Sequence, residues 1–319
     1  GQTALLGAGG TTTGINYTIA IGHQALTALT SGTGNVAVGY QALLGHEEGG
    51  QNIAIGYGAM NGTGVANAKE SSHNTFIGTD SGGGDWATVI SSNNVAVGNY
   101  TMSAVLSGAL RNTAVGYAAL TSVTTSDDNV AIGYQAGLLI AEGEANVAIG
   151  ANALDAGTTV NNSIAIGKDA MGAVPSGQAV EHAVAIGTNA VLGEANTTDG
   201  INGTVAIGNS AGRRLTTGSG NTIIGYGAGD EITTGQNNTI LGRHTLGNGD
   251  GDEDDNTLIG FNSGDVIDNG NQITCLGSGT DPGSADGANQ TAIGYGCTAV
   301  DTDNSVTLGN ADVTAVYMA

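Results

Sequence analysis

The stretch "NVAVGYQAL", residues 35–43, returns as "NVAIGYQAG" at 129–137 and in looser form along the whole chain. Aligned on its glycine, the phrase falls at Gly7, Gly22, Gly39, Gly56, Gly78, Gly98, Gly116, Gly133, Gly150, Gly167, Gly187, Gly208, Gly225, Gly242, Gly260, Gly277, Gly294 and Gly309. That is 18 copies, and the commonest interval is 17 residues. Such a period is too short for a helix pair or a propeller blade. It fits one coil of a β-solenoid, in which each coil covers the apolar edge of the next. With coils about 4.8 Å apart, the 17 intervals predict a rod roughly 80 Å long.

The columns define a short strand ended by glycine. One residue before the glycine is always Val, Ile or Leu; three before it is Val, Ile or Thr in every copy but the first, which has Ala4. Two before it is usually Ala and sometimes Phe76, Ile223, Ile240, Leu258 or Cys275. In a strand, positions −1 and −3 share one face and −2 takes the other. The β-branched −1/−3 face is expected to fill the coil interior. The −2 face is also apolar, so it is expected to be covered by another chain. The glycine makes the bend. The residue at +3 is Ala, Ser, Thr or Cys in sixteen copies and is expected to begin a return strand, as in Gln41-Ala42-Leu43. Asn occupies −4 in ten copies, including Asn35, Asn52, Asn129, Asn146 and Asn221, and predicts a ladder of side-chain amides from coil to coil.

Composition supports a narrow interior. There are 57 Gly but only 2 Phe and 1 Trp, too few large aromatics for a bulky core. The net charge of −22, with 6 basic residues, excludes nucleic acid as an expected partner, because phosphate binding needs Lys and Arg. It disfavours an anionic membrane surface equally, and no run of 18 apolar residues predicts membrane insertion. No N-terminal signal peptide is evident, and a chain opening on Gly1 is expected to be processed or part of a longer product. Cys275 and Cys297 sit in different columns, so stacking alone is not expected to join them; two buried thiols are predicted.

Four intervals are lengthened to between 20 and 22 residues by "NGTGVANAKESSH" (61–73), "GGGDWATVISS" (82–92), "MGAVPSGQAVEH" (171–182) and "VLGEANTTDGING" (191–203). Such insertions are cheap to lengthen and are common places for binding residues. Trp86 lies in one of them, either as an anchor tucked against the rod or as a ligand-facing aromatic. From Gly225 onward, −3 is Thr in five consecutive copies, and in the first four −2 enlarges to Ile223, Ile240, Leu258 and Cys275. Two regions follow: 1–216, with Ala-type strands and the long insertions, and 217–319, with Thr-type strands. The enlarged −2 residues predict a different contact between chains in the second region.

Candidate chemistry is sparse. His23, His46, His73, His182 and His244 lie in unrelated columns with no catalytic spacing, and read as surface residues. No catalytic residue and no cofactor is assigned, and the chain is read as a non-enzyme. In "DGDEDD" (250–255), Asp250, Asp252 and Asp254 resemble the start of a Ca²⁺ loop, but Asp255 and Phe261 stand where the template needs Gly and Glu. The run reads as a solvated acidic turn, with a cation shared by Asp250, Asp252, Asp254 and Asp255 as the alternative. Tyr follows the glycine at Tyr40, Tyr57, Tyr117, Tyr134, Tyr226 and Tyr295. Corner packing explains such residues, with hydroxyls in water. Tyr40, Tyr57, Tyr117 and Tyr134, with Trp86, are also the receptor-binding candidates.

The phrases "NVAVGYQAL", "NVAIGANAL", "SIAIGKDAM" and "TVAIGNSAG" resemble the head repeats of trimeric autotransporter adhesins and the shaft repeats of bacteriophage tail fibres. The likeness covers nearly the whole chain. It implies an all-β, left-handed parallel β-roll in each chain and a homotrimer about a common axis; the handedness comes from the resemblance and not from the columns. No heptad stalk, basic neck or membrane barrel is seen, and "SVTLGNADVTAVYMA" (305–319) resembles segments that precede a self-cleaving trimerisation chaperone in fibre precursors. The expected role is a structural trimeric fibre or spike segment at the virion surface or outside the cell. It would join other fibre or virion proteins and carry attachment to a host surface glycan or protein. A bacterial adhesin head binding matrix or glycans is the alternative, and a polysaccharide-degrading tailspike the third reading.

Overall fold

The computed structural model describes residues 4–5, 13–64, 66–174, 180–193, 200–248 and 251–316. The chain divides into two compact units, Gly1–Asn161 and Asn162–Ala319. The change from Ala-type to Thr-type strands near residue 217 falls inside the second unit.

The first unit carries eight described strands, all three residues long: β1 (Ile19–Ile21), β2 (Val36–Val38), β3 (Ile53–Ile55), β4 (Thr75–Ile77), β5 (Val95–Val97), β6 (Thr113–Val115), β7 (Val130–Ile132) and β8 (Val147–Ile149). Consecutive strands pair in parallel and in register, so Ala37, Ala54, Phe76, Ala96, Ala114, Ala131 and Ala148 form one row. The second unit carries β9 (Ile164–Ile166), β10 (Val184–Ile186), β11 (Val205–Ile207), β12 (Thr222–Ile224), β13 (Thr239–Leu241), β14 (Thr257–Ile259), β15 (Thr274–Leu276), β16 (Gln290–Ile293) and β17 (Ser305–Leu308), paired in the same way. Each unit is a parallel β-solenoid with one strand per coil of about 17 residues.

The glycine column is set by the next coil. Gly39 has φ +143°, and a Cβ there would lie 2.1 Å from the carbonyl oxygen of Gly56. No other residue fits so close an approach. The expected return strand after this bend does not form. Instead Gln41 and Leu43 take left-handed φ of 57° and 52°, and their N–H groups donate to His23 O and Ala59 O, both at 2.9 Å. Left-handed conformation costs a non-glycine residue about 1–2 kcal/mol. The hydrogen bonds from coil to coil and the burial of Leu43 oppose that cost. The same two positions repeat as Gly58 and Met60 and as Ala118 and Leu120, and a third left-handed position recurs just before the Asn, as at Gln51, Arg111 and Asp128.

The asparagine ladder is present as expected. Asn52, Asn74, Asn94, Asn112, Asn129 and Asn146 each donate both the backbone N–H and Nδ2 to Oδ1 of the preceding Asn, at 2.9–3.2 Å. Each Nδ2 also reaches a carbonyl across the coil, for example Ser126 O from Asn112 at 2.7 Å. In the second unit Asn238 donates both groups to Asn221 Oδ1, Asn256 donates its backbone N–H to Asn238 Oδ1, and Ile273 N–H closes the run on Asn256 Oδ1 at 2.7 Å. These amides are buried, and every bond made removes an otherwise costly unsatisfied group.

The strand faces are the reverse of the sequence expectation. Ala37, Ala54 and Ala131 at −2 are fully buried inside their own coil, whereas Ile55 and Ile132 at −1 are 36% and 40% exposed. The reason is volume. The coil interior already holds the large side chains Leu26, Leu43, Met60, Leu120 and Leu154 at +4, with Leu29, Val123 and Ile140 behind them, so only a methyl fits opposite. In three coils where −2 is large, +4 is Gly: Phe76 faces Gly82, Ile223 faces Gly229 and Leu258 faces Gly264, whereas Ile240 shares its coil with the buried Leu246. The enlarged −2 residues therefore change the packing within the coil, and the predicted change of contact between chains at Ile240 is corrected: Ala148 and Ile240 are both buried in their own coils.

Trp86 is likewise interior, 1% exposed, with its ring edge-on to Phe76 at 5.8 Å and Nε1 donating to Gly82 O at 2.9 Å. Cys275 and Cys297 are buried free thiols. Burial, with contributions from Asp281 and Cys297, pushes the Cys275 thiol up to about 12. Among the described residues no helix is long and apolar enough to cross a membrane.

Candidate functional site

Two outward features run beside each other in each unit, on either side of the glycine column. The first is the −1/−3 face. Val36, Val38, Ile53 and Ile55 in the first unit, and Leu241, Leu276 and Ile293 in the second, are half-buried or exposed. Because the strands are in register, the outward side chains line up from coil to coil in each unit rather than forming scattered spots. Contiguous apolar surface of this kind marks an interaction face.

The second feature is the aromatic column at +1. His23, Tyr40 and Tyr57 stack in one row, with centroids 5.4 and 5.0 Å apart and planes within 10°. Tyr117 and Tyr134 stack at 5.5 Å, and Tyr100 meets Tyr117 edge-on at 5.6 Å. Thr79 and Asn99 separate the two rows, joined by a bond from Thr79 N–H to Asn99 Oδ1 of 2.9 Å. Tyr40 and Tyr57 stay 41% and 55% exposed, so all four tyrosine candidates are surface residues brought together in pairs. Their ring faces are largely spent on one another. What they offer a ligand is a file of ring edges and hydroxyls. Trp86 joins neither row: it is buried, and its assignment as a receptor-binding candidate is corrected to a packing role. Two members escaped the sequence reading. His23 is visible in the +1 column once the first copies are aligned, while Tyr100 sits one place further along and carries no such signal.

The acidic run is spread along a coil edge. Asp252 Oδ1 accepts from Thr234 Oγ1, Asp254 Oδ1 accepts from Gln236 N–H at 2.7 Å, and the Asp255 backbone N–H donates to Gln236 O at 3.0 Å. Asp250 lies outside the described residues. Among the described residues no group of three or more His, Cys, Asp or Glu is placed to hold a metal. Parts of the insertions at 65, 175–179 and 194–199 also lie outside the described residues.

His46 corrects the expectation that every histidine is a surface residue. It is fully buried, with Nε2 2.8 Å from Gly49 O and 3.1 Å from Asn52 Nδ2, and burial lowers its pKa to about 4. It occupies the inward column that holds Leu29 and Val123 in other coils, and touches no surface feature.

Ionic contacts follow the same coil-to-coil logic. Arg111 reaches Asp128 at 2.7 Å and Asp127 at 3.2 Å, and Arg213 and Arg214 share Glu231. These exposed pairs tie neighbouring coils at little net gain. Compared with protein-family models, with curated proteins and with solved structures, the chain shows no match.

Proposed function

We propose that this chain is a non-enzymatic segment of a trimeric fibre or spike at a virion surface, which projects or carries attachment to a host surface. The observation that supports this reading best is the outward −1/−3 stripe. A coil that keeps its alanines inside and its valines and isoleucines outside exposes apolar surface that another copy of the chain can cover. Self-association along such a stripe buries like against like in every coil, which suits an in-register repeat. The resemblance to fibre and adhesin repeats supplies the number three. The acidic charge fits a long projecting object kept soluble by repulsion.

Native mass spectrometry of the folded chain tests the assembly, and three chain masses are the expected result. Adsorption of the labelled protein to candidate host cells tests attachment, with saturable binding expected. Release of oligosaccharide from host polysaccharide would instead establish the degradative reading.

A further inference from the structure

All six Lys and Arg lie among the described residues, and five of them are ion-paired: Lys69 with Glu48, Arg111 with Asp128, Lys168 with Asp169, and Arg213 and Arg214 with Glu231. Among the described residues, Arg243 alone has no carboxylate partner. In a chain with 28 acidic residues this is the opposite of what chance neighbours would give. Its guanidinium lies over the ring of Phe261, 5.3 Å from the centroid. A guanidinium placed over a ring face in this way is attracted by the ring, and its planar fork of N–H donors suits a two-point contact.

Arg243 and His244 stand between two open clefts. One, of about 280 Å³, is lined by Arg243, His244, Asn248, Phe261, Asn262 and Asp265. The other, of about 430 Å³, is lined by Tyr226, Arg243 and His244, whose rings meet edge-on at 5.4 Å for the Tyr226–His244 pair. Both volumes sit near the lower end of the range that holds small ligands, about 300–1,000 Å³. Asp265 also faces Asp281, whose carboxyl is pushed up to about 6 by burial and by Asp265.

We infer that the Arg243 cleft binds the carboxylate of an acidic sugar unit, such as a uronic acid residue in a surface polysaccharide. A planar carboxylate matches the fork of Arg243. The amides of Asn248 and Asn262 and the carboxylate of Asp265 supply partners for ring hydroxyls, and the edges of Tyr226, His244 and Phe261 supply apolar contact for a sugar face. A phosphate dianion fits less well, because a single cation faces it and Asp265 stands beside it. The inference rests on the attachment role proposed above and gives that role a ligand class.

The test is isothermal titration calorimetry of the full chain with tetragalacturonic acid, its carboxyl-reduced counterpart and inorganic phosphate. Binding of the acid, weakened at least about tenfold in Arg243→Gln and less in Arg243→Lys, is expected, with no binding of the reduced form. Phe261→Leu, which removes the platform but keeps the charge, is expected to weaken binding several-fold; unchanged melting of both variants shows that the fold is kept. Equal affinity for acid and reduced form, no effect of Arg243→Gln, no binding of the acid, or tighter binding of phosphate than of the acid overturns the site. Cell adsorption separates this from the attachment role: host binding that survives Arg243→Gln rejects the cleft alone. Uronate binding without adsorption to any host rejects the attachment role alone.

Discussion

Phe76 occupies the space that a side chain at Gly82 would take: a Cβ on Gly82 would lie 2.7 Å from the Phe76 ring. Six positions apart, the two residues exchange size between the strand and the turn that follows it. Seven of the eighteen copies make the opposite choice, a small Ala on the strand and Leu or Met in the turn, as Ala54 with Met60 and Ala114 with Leu120.

That exchange predicts a compensating pair. Phe76→Ala alone should cost about 3–5 kcal/mol, because the cavity also strips Trp86 of its edge contact. Gly82→Leu alone should destabilise by clash with the ring. The double change Phe76→Ala with Gly82→Leu rebuilds the common arrangement, and Leu is tolerated at the left-handed φ there, as Leu43 and Leu120 show. Urea unfolding of the four forms should give a coupling of about 1–3 kcal/mol, favourable to the double variant.

The ladder predicts a graded response to changes at Asn112, which is buried and bonded to Asn94 Oδ1, Leu110 O and Ser126 O. Asn112→Ala should lower stability by about 1–3 kcal/mol, leaving the Ser126 carbonyl without its Nδ2 donor and the Asn129 N–H and Nδ2 without the Asn112 Oδ1 acceptor. Asn112→Asp should be worse at neutral pH and partly relieved by acid, since a buried carboxylate would face the carbonyl of Ser126. Thermal melting at pH 7 and pH 4 distinguishes the two variants.

His46 predicts acid sensitivity with a definite sign. Its folded pKa, about 4, lies below the ordinary value of 6.5 because burial opposes the charged form. A depressed value means that the unfolded chain takes up the proton first. Stability attributable to His46 is therefore full above about pH 6.5 and lost as pH falls towards 4, up to about 3 kcal/mol. Asp281 works in the opposite sense over an overlapping window, its raised value removing stability as pH rises. The readout is thus the difference between wild type and His46→Leu, since the preceding coil places Leu29 in that column. The gap between their urea midpoints at pH 7 and at pH 4.5 should narrow or invert.

Much of this architecture is legible in the sequence, and the parts that are not have physical causes. The period, the glycine bend and the Asn35-to-Asn146 ladder follow from columns of residue type, because each needs a chemical property that only a few residues have. The inward face does not, because Val36-Ala37-Val38 is apolar on both sides and pattern alone cannot say which is covered. Volume decides it: Leu43 at +4 enters the interior first and leaves room only for Ala37. His46 reads as a surface residue on polarity, yet it fills an inward column; Trp86 in its loop reads either as an anchor or as a ligand-facing aromatic, and only its fold back onto Phe76 decides for the anchor. The tyrosine file was visible as a column, though not that its rings would cover one another. The isolation of Arg243 depends on where every carboxylate ends up, which no local pattern records.

The outward stripe predicts that a charge there acts on assembly and not on the coil. Ile132→Glu places a carboxylate on the exposed −1 face of the first unit and should leave the chain folded but reduce its association. Ala131→Glu, one residue earlier, puts the charge into the interior and should unfold the coil instead. Circular dichroism and sedimentation of the two variants separate the faces.

The most direct test of the account is the mass of the wild-type assembly in solution, measured by native mass spectrometry alongside Ile132→Glu. Three chains for the wild type and a lower stoichiometry for the variant are the predicted results. A folded, stable single chain for the wild type, with the Val and Ile stripe left open to water, would contradict it.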